Sequence, residues 1–330
     1  MNLNNCSDSE ILKMRLCDLP LSIEKSAYGP LCQSFFNELK LKGLCFKPSI
    51  WISDDWFCPD GVTGFALPFF LLHPRLIEIE RKMIGHVEGE DSQWFLKLLR
   101  HECGHAMDNA FFLKDCQRRV EIFGDHNIEY PSSYEPKLYS KKFVRHLEDG
   151  YAQAHPEEDW AETFATWLDS KSRWRILYRD WPAIEKIKYV DRIMKKLKGT
   201  RPNVLCYQKV DSIEELDISL RTYYNRKRKR LLLESNENHL HRYLLKSPRQ
   251  MNEGAYLYGE LKRNRRDLQR MLSVELKRKN HQVASALKDL EGLAKKKGLY
   301  IKKSSNHRLE GLVRTHAKKF FKEGKHRIIM

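Results

Sequence analysis

No apolar run in this sequence exceeds nine residues, and the longest, GFALPFFLL from Gly64, is interrupted by a proline. A helix that crosses a bilayer needs about twenty consecutive apolar residues, so no membrane insertion is expected. The eight cysteines, at positions 6, 17, 32, 45, 58, 103, 116 and 206, form no CxxC pair and follow no regular spacing. That argues against a cysteine metal knuckle and against a small disulfide scaffold, and leaves reduced, mostly buried thiols as the expectation. The first twenty residues, MNLNNCSDSEILKMRLCDLP, lack the basic and hydrophobic regions of a secretory leader and offer no lipid-attachment sequence at Cys6. A cytoplasmic protein is expected. Fixed-period repeats and low-complexity segments are also missing.

What the chain has in excess is positive charge, +16 over 330 residues, and it is placed unevenly. Residues 1–210 hold 30 Lys+Arg and 30 Asp+Glu, whereas residues 211–330 hold 30 against 14. A break of that size predicts two parts with different work: a first domain over 1–200 and a basic accessory domain over 211–330.

The hydrophobic pattern predicts an α+β first domain with a mostly helical part after it. Leu31, Phe35 and Leu39 mark an amphipathic helix over Pro30–Lys40. Pro48–Trp56 and Gly61–Leu72 are rich in aromatic and branched residues and read as strands, the second an edge strand because Pro68 cannot donate to a ladder. Asp91 or Ser92 can cap a helix running to about Leu113. Phe123–Gly150 reads as a loop, and Pro156, at a first helical position, opens another helix. Pro182–Leu197 reads as a further helix. Beyond it the pattern is helical almost throughout, with stripes at Leu257, Leu261, Leu268 and Leu272 and at Val283, Leu287 and Leu290.

Inside the capped helix stands KLLRHECGHAMDNAFFL. Positions four apart on an α-helix face the same way, so His101 and His105 can direct ring nitrogens at one point with Glu102 beside that face. Two neutral imidazoles, an open coordination position and a nearby carboxylate are what zinc hydrolysis requires. A chain of this composition contains HExxH by chance roughly 0.04 times. Cys103 falls on the far side of the helix and is expected in the core. A third ligand has to come from elsewhere, because the extended form HExxHxxGxxH fails at Asp108 and Phe111. In HPEEDWAETFA, Glu158 and Glu162 stand four apart: one can bind the metal while the other fixes a histidine tautomer. His126, His146 and His155 are competing ligands. Asp108 is expected to orient a histidine or to cap a local turn.

The motifs HECGHAMD and, some fifty residues on, GYAQAHPEEDWAETFA resemble the gluzincin-type metallopeptidases of the lethal-factor kind. The similarity is closest to a bacterial group of zinc-binding metallopeptidases and covers about Trp51 to Asp169. It implies a zincin-like lobe with a small mixed sheet, Zn²⁺ on His101, His105 and Glu158, and Glu102 as general base. It also implies Glu162 behind a ligand histidine and Tyr151 as the phenol that steadies the reacting oxygen. The chain departs from that group at His155, where the group has Asn, and at Trp160, where it has Phe.

The expected function is therefore a metallopeptidase that hydrolyses a peptide or protein substrate through a zinc-activated water, with an extended substrate laid along the GFALPFFL edge. The alternative is a basic helical protein that binds nucleic acid or an acidic partner through runs such as YYNRKRKR (Tyr223–Arg230), LKRNRR (Leu261–Arg266) and AKKKG near Lys295, beside an inactive lobe.

Overall fold

A computed structural model describes residues 3–131, 133–137, 139–231, 240, 243–245, 254–302, 306–322 and 328–329. The chain divides into two compact units, Met1–Arg228 and Lys229–Ile329. It is mostly helical with little sheet, and no described helix is long and apolar enough to cross a membrane.

In the first unit the helix Gly29–Leu41 buries Cys32, Phe35 and Leu39, spaced as one helical face. Strand β1 (Ser49–Ser53) pairs in parallel with β2 (Gly64–Pro68). Both strands are shorter than the sequence suggests. After Pro68 the chain turns into a 3₁₀ segment, Phe69–Leu72, which lays four apolar side chains into the core. His73 then caps the helix Pro74–Ile84, its ring accepting from the Arg75 N–H. The second edge of β2 is occupied: Phe57 bridges to Ala66, whose N–H donates to the Phe57 carbonyl at 2.8 Å. An extended substrate therefore cannot lie along β2 at Ala66, because the 56–60 segment already takes that place.

Two helices carry the residues of interest, the His helix (Ser92–Phe111) and the Glu helix (Pro156–Leu168). Asp91 caps the first by accepting from the N–H groups of Gln93 and Trp94. His155 caps the second, its Nδ1 accepting from the Glu157 N–H at 3.2 Å. Arg100, the residue before His101, makes two 2.7 Å bonds to the Glu38 carboxylate and lies 3.5 Å from Asp169. One guanidinium thus fixes the His helix against the helix at 29–41 and the end of the Glu helix. All eight cysteines are free, and Cys103 is fully buried.

Residues 201–228 belong to this first unit. Thr63 and Cys206 exchange backbone and side-chain hydrogen bonds, the Trp51 indole donates to the Val210 carbonyl, and the Ser53 hydroxyl donates to Asp211. On the helix Leu220–Arg230, Tyr223 and Tyr224 are buried and Lys227 forms a 2.9 Å ion pair with the buried Glu80. The start of YYNRKRKR thus packs the lobe.

In the second unit the helices Leu257–Arg263, Arg265–Glu275, Asn280–Lys297 and Asn306–Lys322 surround one apolar core, and both leucine stripes face it. A short antiparallel pair, Gly254–Tyr256 with Tyr300–Lys302, accompanies them. Part of the basic charge is spent internally: Arg265 and Lys262 both reach the buried Glu291, and Arg263 pairs with Glu260. Lys295, Lys296 and Lys297 occupy the last turn of their helix, where cations complement its dipole. Of the helical pattern beyond residue 210, positions 232–239, 241–242, 246–253, 303–305 and 323–327 lie outside the described residues.

Removing one partner of a buried ion pair leaves the other charge uncompensated. Lys227→Met is expected to lower the unfolding free energy by about 3 kcal/mol, read from urea unfolding curves. A loss below about 0.5 kcal/mol would contradict the role given to Lys227.

Candidate metal centre

The two site helices approach each other more closely than side chains normally permit. A Cβ placed on Gly104 would lie 2.8 Å from the Ala161 Cα and 3.2 Å from its carbonyl oxygen. The Trp160 indole N–H donates to the Gly104 carbonyl at 2.9 Å. A glycine between the two histidines and an alanine three residues after Glu158 therefore let the backbones touch. This crossing carries Glu158 to the histidines.

The three side chains meet. His101 Nε2 and His105 Nε2 are 3.3 Å apart, and Glu158 Oε2 lies 3.0 Å from the first and 3.4 Å from the second. Zinc bonds to N and O of about 2.0–2.1 Å give tetrahedral edges of about 3.3–3.5 Å. Two edges of the observed triangle fall there and the third is a few tenths shorter. Among the described residues these three form the group with metal-ligand spacing.

The donor set also suits a cation. Glu162 Oε1 lies 2.9 Å from His101 Nδ1, and its Oε2 accepts the Leu147 N–H at 2.8 Å. With Nδ1–H donating to Glu162, His101 turns a lone pair on Nε2 toward the centre. Glu158 Oε2 is buried and has no neighbour to pair with other than the two imidazole nitrogens. Lone pairs brought this close repel unless a positive charge lies between them. Without a metal, protons serve. Burial pulls the two imidazoles down, but Glu158, joined at His101 by Glu162, outweighs it and raises both. Burial alone would raise Glu158, yet the histidines hold it far below the usual carboxylate range.

The triangle opens on a cleft of about 260 Å³ lined by Trp56, Phe57, Tyr130 and Tyr151. Glu102 lines the same cleft, and burial raises its carboxyl. Tyr151 packs its ring 5.4 Å from that of His101. Asp149 and Gly150, both with left-handed backbone, turn the chain immediately before it. Burial and then Glu158 push its phenol well above the ordinary range, so it remains an O–H donor at neutral pH. Asp108 also lines the cleft, but its partner is the buried Arg119, which stacks near Trp160, and its Oδ1 is buried with no partner. Burial, against the pull of Arg119, pushes the Asp108 carboxyl up to about 6. Its observed ion pair is with an arginine rather than a histidine, because Arg119, on the helix Gln117–Phe123, is buried against it.

None of the competing histidines joins the triangle. His146 lies 3.0 Å from the Lys97 carbonyl, His155 caps the Glu helix, and His126 stands outside the triangle. Two cleft residues carry no motif. Asn109 donates to the carbonyls of Pro59 and Val62 at 2.9 and 2.8 Å, which fixes the wall formed by residues 56–60. Tyr130, from the loop, places its hydroxyl 3.0 Å from Glu158 Oε1 and 2.8 Å from Glu157 Oε2. The only sequence signal for it is an aromatic in a charged loop.

Residues 73–175 match the sequence model of a family described as "putative zinc-binding metallo-peptidase". The matched stretch contains both site helices and ends before the second unit. It supports a peptidase function in general terms. Searches of curated proteins and of solved structures returned no significant match.

Two outcomes follow. Gly104→Ala forces backbone apart at Ala161 and should cost about 1–3 kcal/mol of stability; zinc affinity, measured by chelator competition, should fall at least about tenfold. Wild-type affinity in a folded variant would contradict the crossing argument. The raised imidazoles also set a pH dependence. Stability they lend to the metal-free protein is full below about pH 6.5 and is lost as pH rises through their raised folded-state values. Zinc must displace those protons, so its affinity should climb with pH through neutrality, with proton release detectable by calorimetry in buffers of different ionisation enthalpy. Affinity that is flat from about pH 6 to 8 would contradict this.

Proposed function

We propose that the first compact unit is a zinc-dependent metallopeptidase with a zincin-like lobe, in which His101, His105 and Glu158 hold the ion. The observation that carries this reading is the triangle of converging lone pairs, close to zinc-edge spacing and open on one side to a cleft. Three protein ligands with a free fourth position are the mark of a catalytic rather than a structural zinc site. When bound, zinc would supply Lewis acidity, polarising a scissile carbonyl and acidifying a water.

The chain's own groups do the rest. Glu102 accepts the proton of the attacking water and passes it to the departing amine, a task suited to a carboxylate whose basicity burial has increased. Tyr151 donates its phenolic proton as a hydrogen bond to the carbonyl oxygen as charge builds there. Glu162 holds His101 in the tautomer that faces the centre and limits its rotation. Aromatic side chains, Trp56, Phe57, Tyr130 and Tyr151, line the cleft around the reacting bond.

The substrate is a peptide or protein segment that enters between the 56–60 wall and the loop bearing Tyr130. The three proposed ligands all lie in the first unit, and the paired charges of the basic helical unit supply no argument for nucleic-acid binding.

Digestion of a proteome-derived peptide library by zinc-loaded protein tests the reading. Glu102→Gln should keep the metal and lower the cleavage rate by about a thousandfold or more. Tyr151→Phe should lower kcat by about a hundredfold, with the metal retained. If Glu102→Gln and the wild type cleave every peptide alike, the reading fails.

A further inference from the structure

The two oxygens of Glu158 stand in different surroundings. Oε2 faces only the two imidazoles, whereas Oε1 lies 3.0 Å from the Tyr130 hydroxyl. We propose that Tyr130 is a positioning residue that makes Glu158 a one-oxygen ligand and so keeps the fourth corner of the centre free. The inference rests on the reading of Glu158 as a metal ligand and goes beyond it by explaining why the carboxylate does not close over the ion.

A carboxylate beside a divalent cation can bind through one oxygen or two. Binding through two would fill the position a water or a substrate carbonyl needs. A phenol has one proton to give, and sharing it between Oε1 and the Glu157 carboxylate makes Oε1 the poorer ligand and restrains the rotation of the carboxyl group about its last bond. Glu157 Oε2, 2.8 Å from the same hydroxyl, is a second acceptor and ties the phenol to the neighbouring residue on the same turn.

The position of Tyr130 is referenced to the helix it serves. Its ring stacks on that of His155, with centroids 3.7 Å apart and planes 19° from parallel. His155 Nδ1 accepts the Glu157 N–H, so the ring proton sits on Nε2, 2.9 Å from the Ile128 carbonyl, and donates there. One buried imidazole thus caps the Glu helix, tethers the loop two residues before Tyr130 and supplies the platform for its ring. Cap, tether, stack and hydroxyl all act on the first turn that carries Glu158. Tyr130 itself is 42% exposed, so its hydroxyl can be removed with little effect on the fold.

The test uses the full chain stripped of metal and loaded with Co²⁺, whose visible absorption is stronger in four-coordinate than in five-coordinate sites. Tyr130→Phe keeps the ring and its stacking and removes only the donor. The wild type should show the strong band. Tyr130→Phe should show a clearly weaker one, with zinc binding weakened about tenfold or more in chelator competition and the melting temperature of the metal-free protein unchanged. His155→Asn, which preserves a capping side chain but not the platform or the tether, should move the spectrum in the same direction. A wild-type spectrum and wild-type zinc affinity in Tyr130→Phe overturn the proposal, and so does a fall in melting temperature with both of these unchanged, which would mark a structural role only. Failure of the wild type to bind one cobalt per chain would instead overturn the reading of Glu158 as a ligand.

Discussion

The contact between Gly104 and Ala161 is the constraint on which the centre depends. Two helices that cross with ordinary side chains between them hold their axes about 8–10 Å apart, and a glutamate on one then reaches the histidines of the other only by extending fully. Here the crossing point lies inside the HECGH pattern, and backbone meets backbone. Glu158, one turn before the crossing, therefore arrives beside His101 and His105, and Glu162, just beyond it, arrives behind His101. The Trp160 bond to Gly104 closes the approach from the side, and Arg100 anchors the His helix where the pattern begins.

This packing concentrates charge where water is scarce. Glu102, Glu158 and Glu162 are all buried within a few ångströms of two buried or nearly buried histidines. Unshared charges in such surroundings are costly, and the protein satisfies all but a few atoms: Glu162 uses both oxygens and His101 its outer nitrogen. Glu158 Oε2 has only the two imidazole nitrogens beside it, at the place where a cation would sit.

Helical periodicity put His101 and His105 on one face and Glu158 and Glu162 on one face of a second helix, because HExxH has one local solution on a helix and the spacing from Glu158 to Glu162 repeats it; that Glu158 rather than Glu162 was the expected third ligand came from the family resemblance alone. The Asp91 cap and the leucine stripes of the second unit were likewise legible from local pattern, whereas the His155 cap was not expected. Features that depend on distant partners were not legible. The strand expected over Gly61–Leu72 stops at Pro68, since four successive apolar residues can be buried by a 3₁₀ turn as well as by a strand. Asp108 lies on the His helix itself and was expected to orient a histidine or cap a local turn, but Arg119 takes it through tertiary folding. The compact first unit runs to Arg228, well past the break in charge, because Tyr223, Tyr224 and Lys227 contribute packing that composition reports only as basic and aromatic. Tyr130 lies in a charged loop with no period at all, and its place follows only from the ring of His155.

The most direct measurement is zinc-edge X-ray absorption on the stripped and reloaded chain. The account predicts one zinc per chain with nitrogen and oxygen neighbours only, the outer-shell scattering of two imidazoles, and a coordination number of four. A sulfur neighbour, from Cys58 in the cleft wall or any other thiol, or scattering from fewer than two imidazoles, would contradict it.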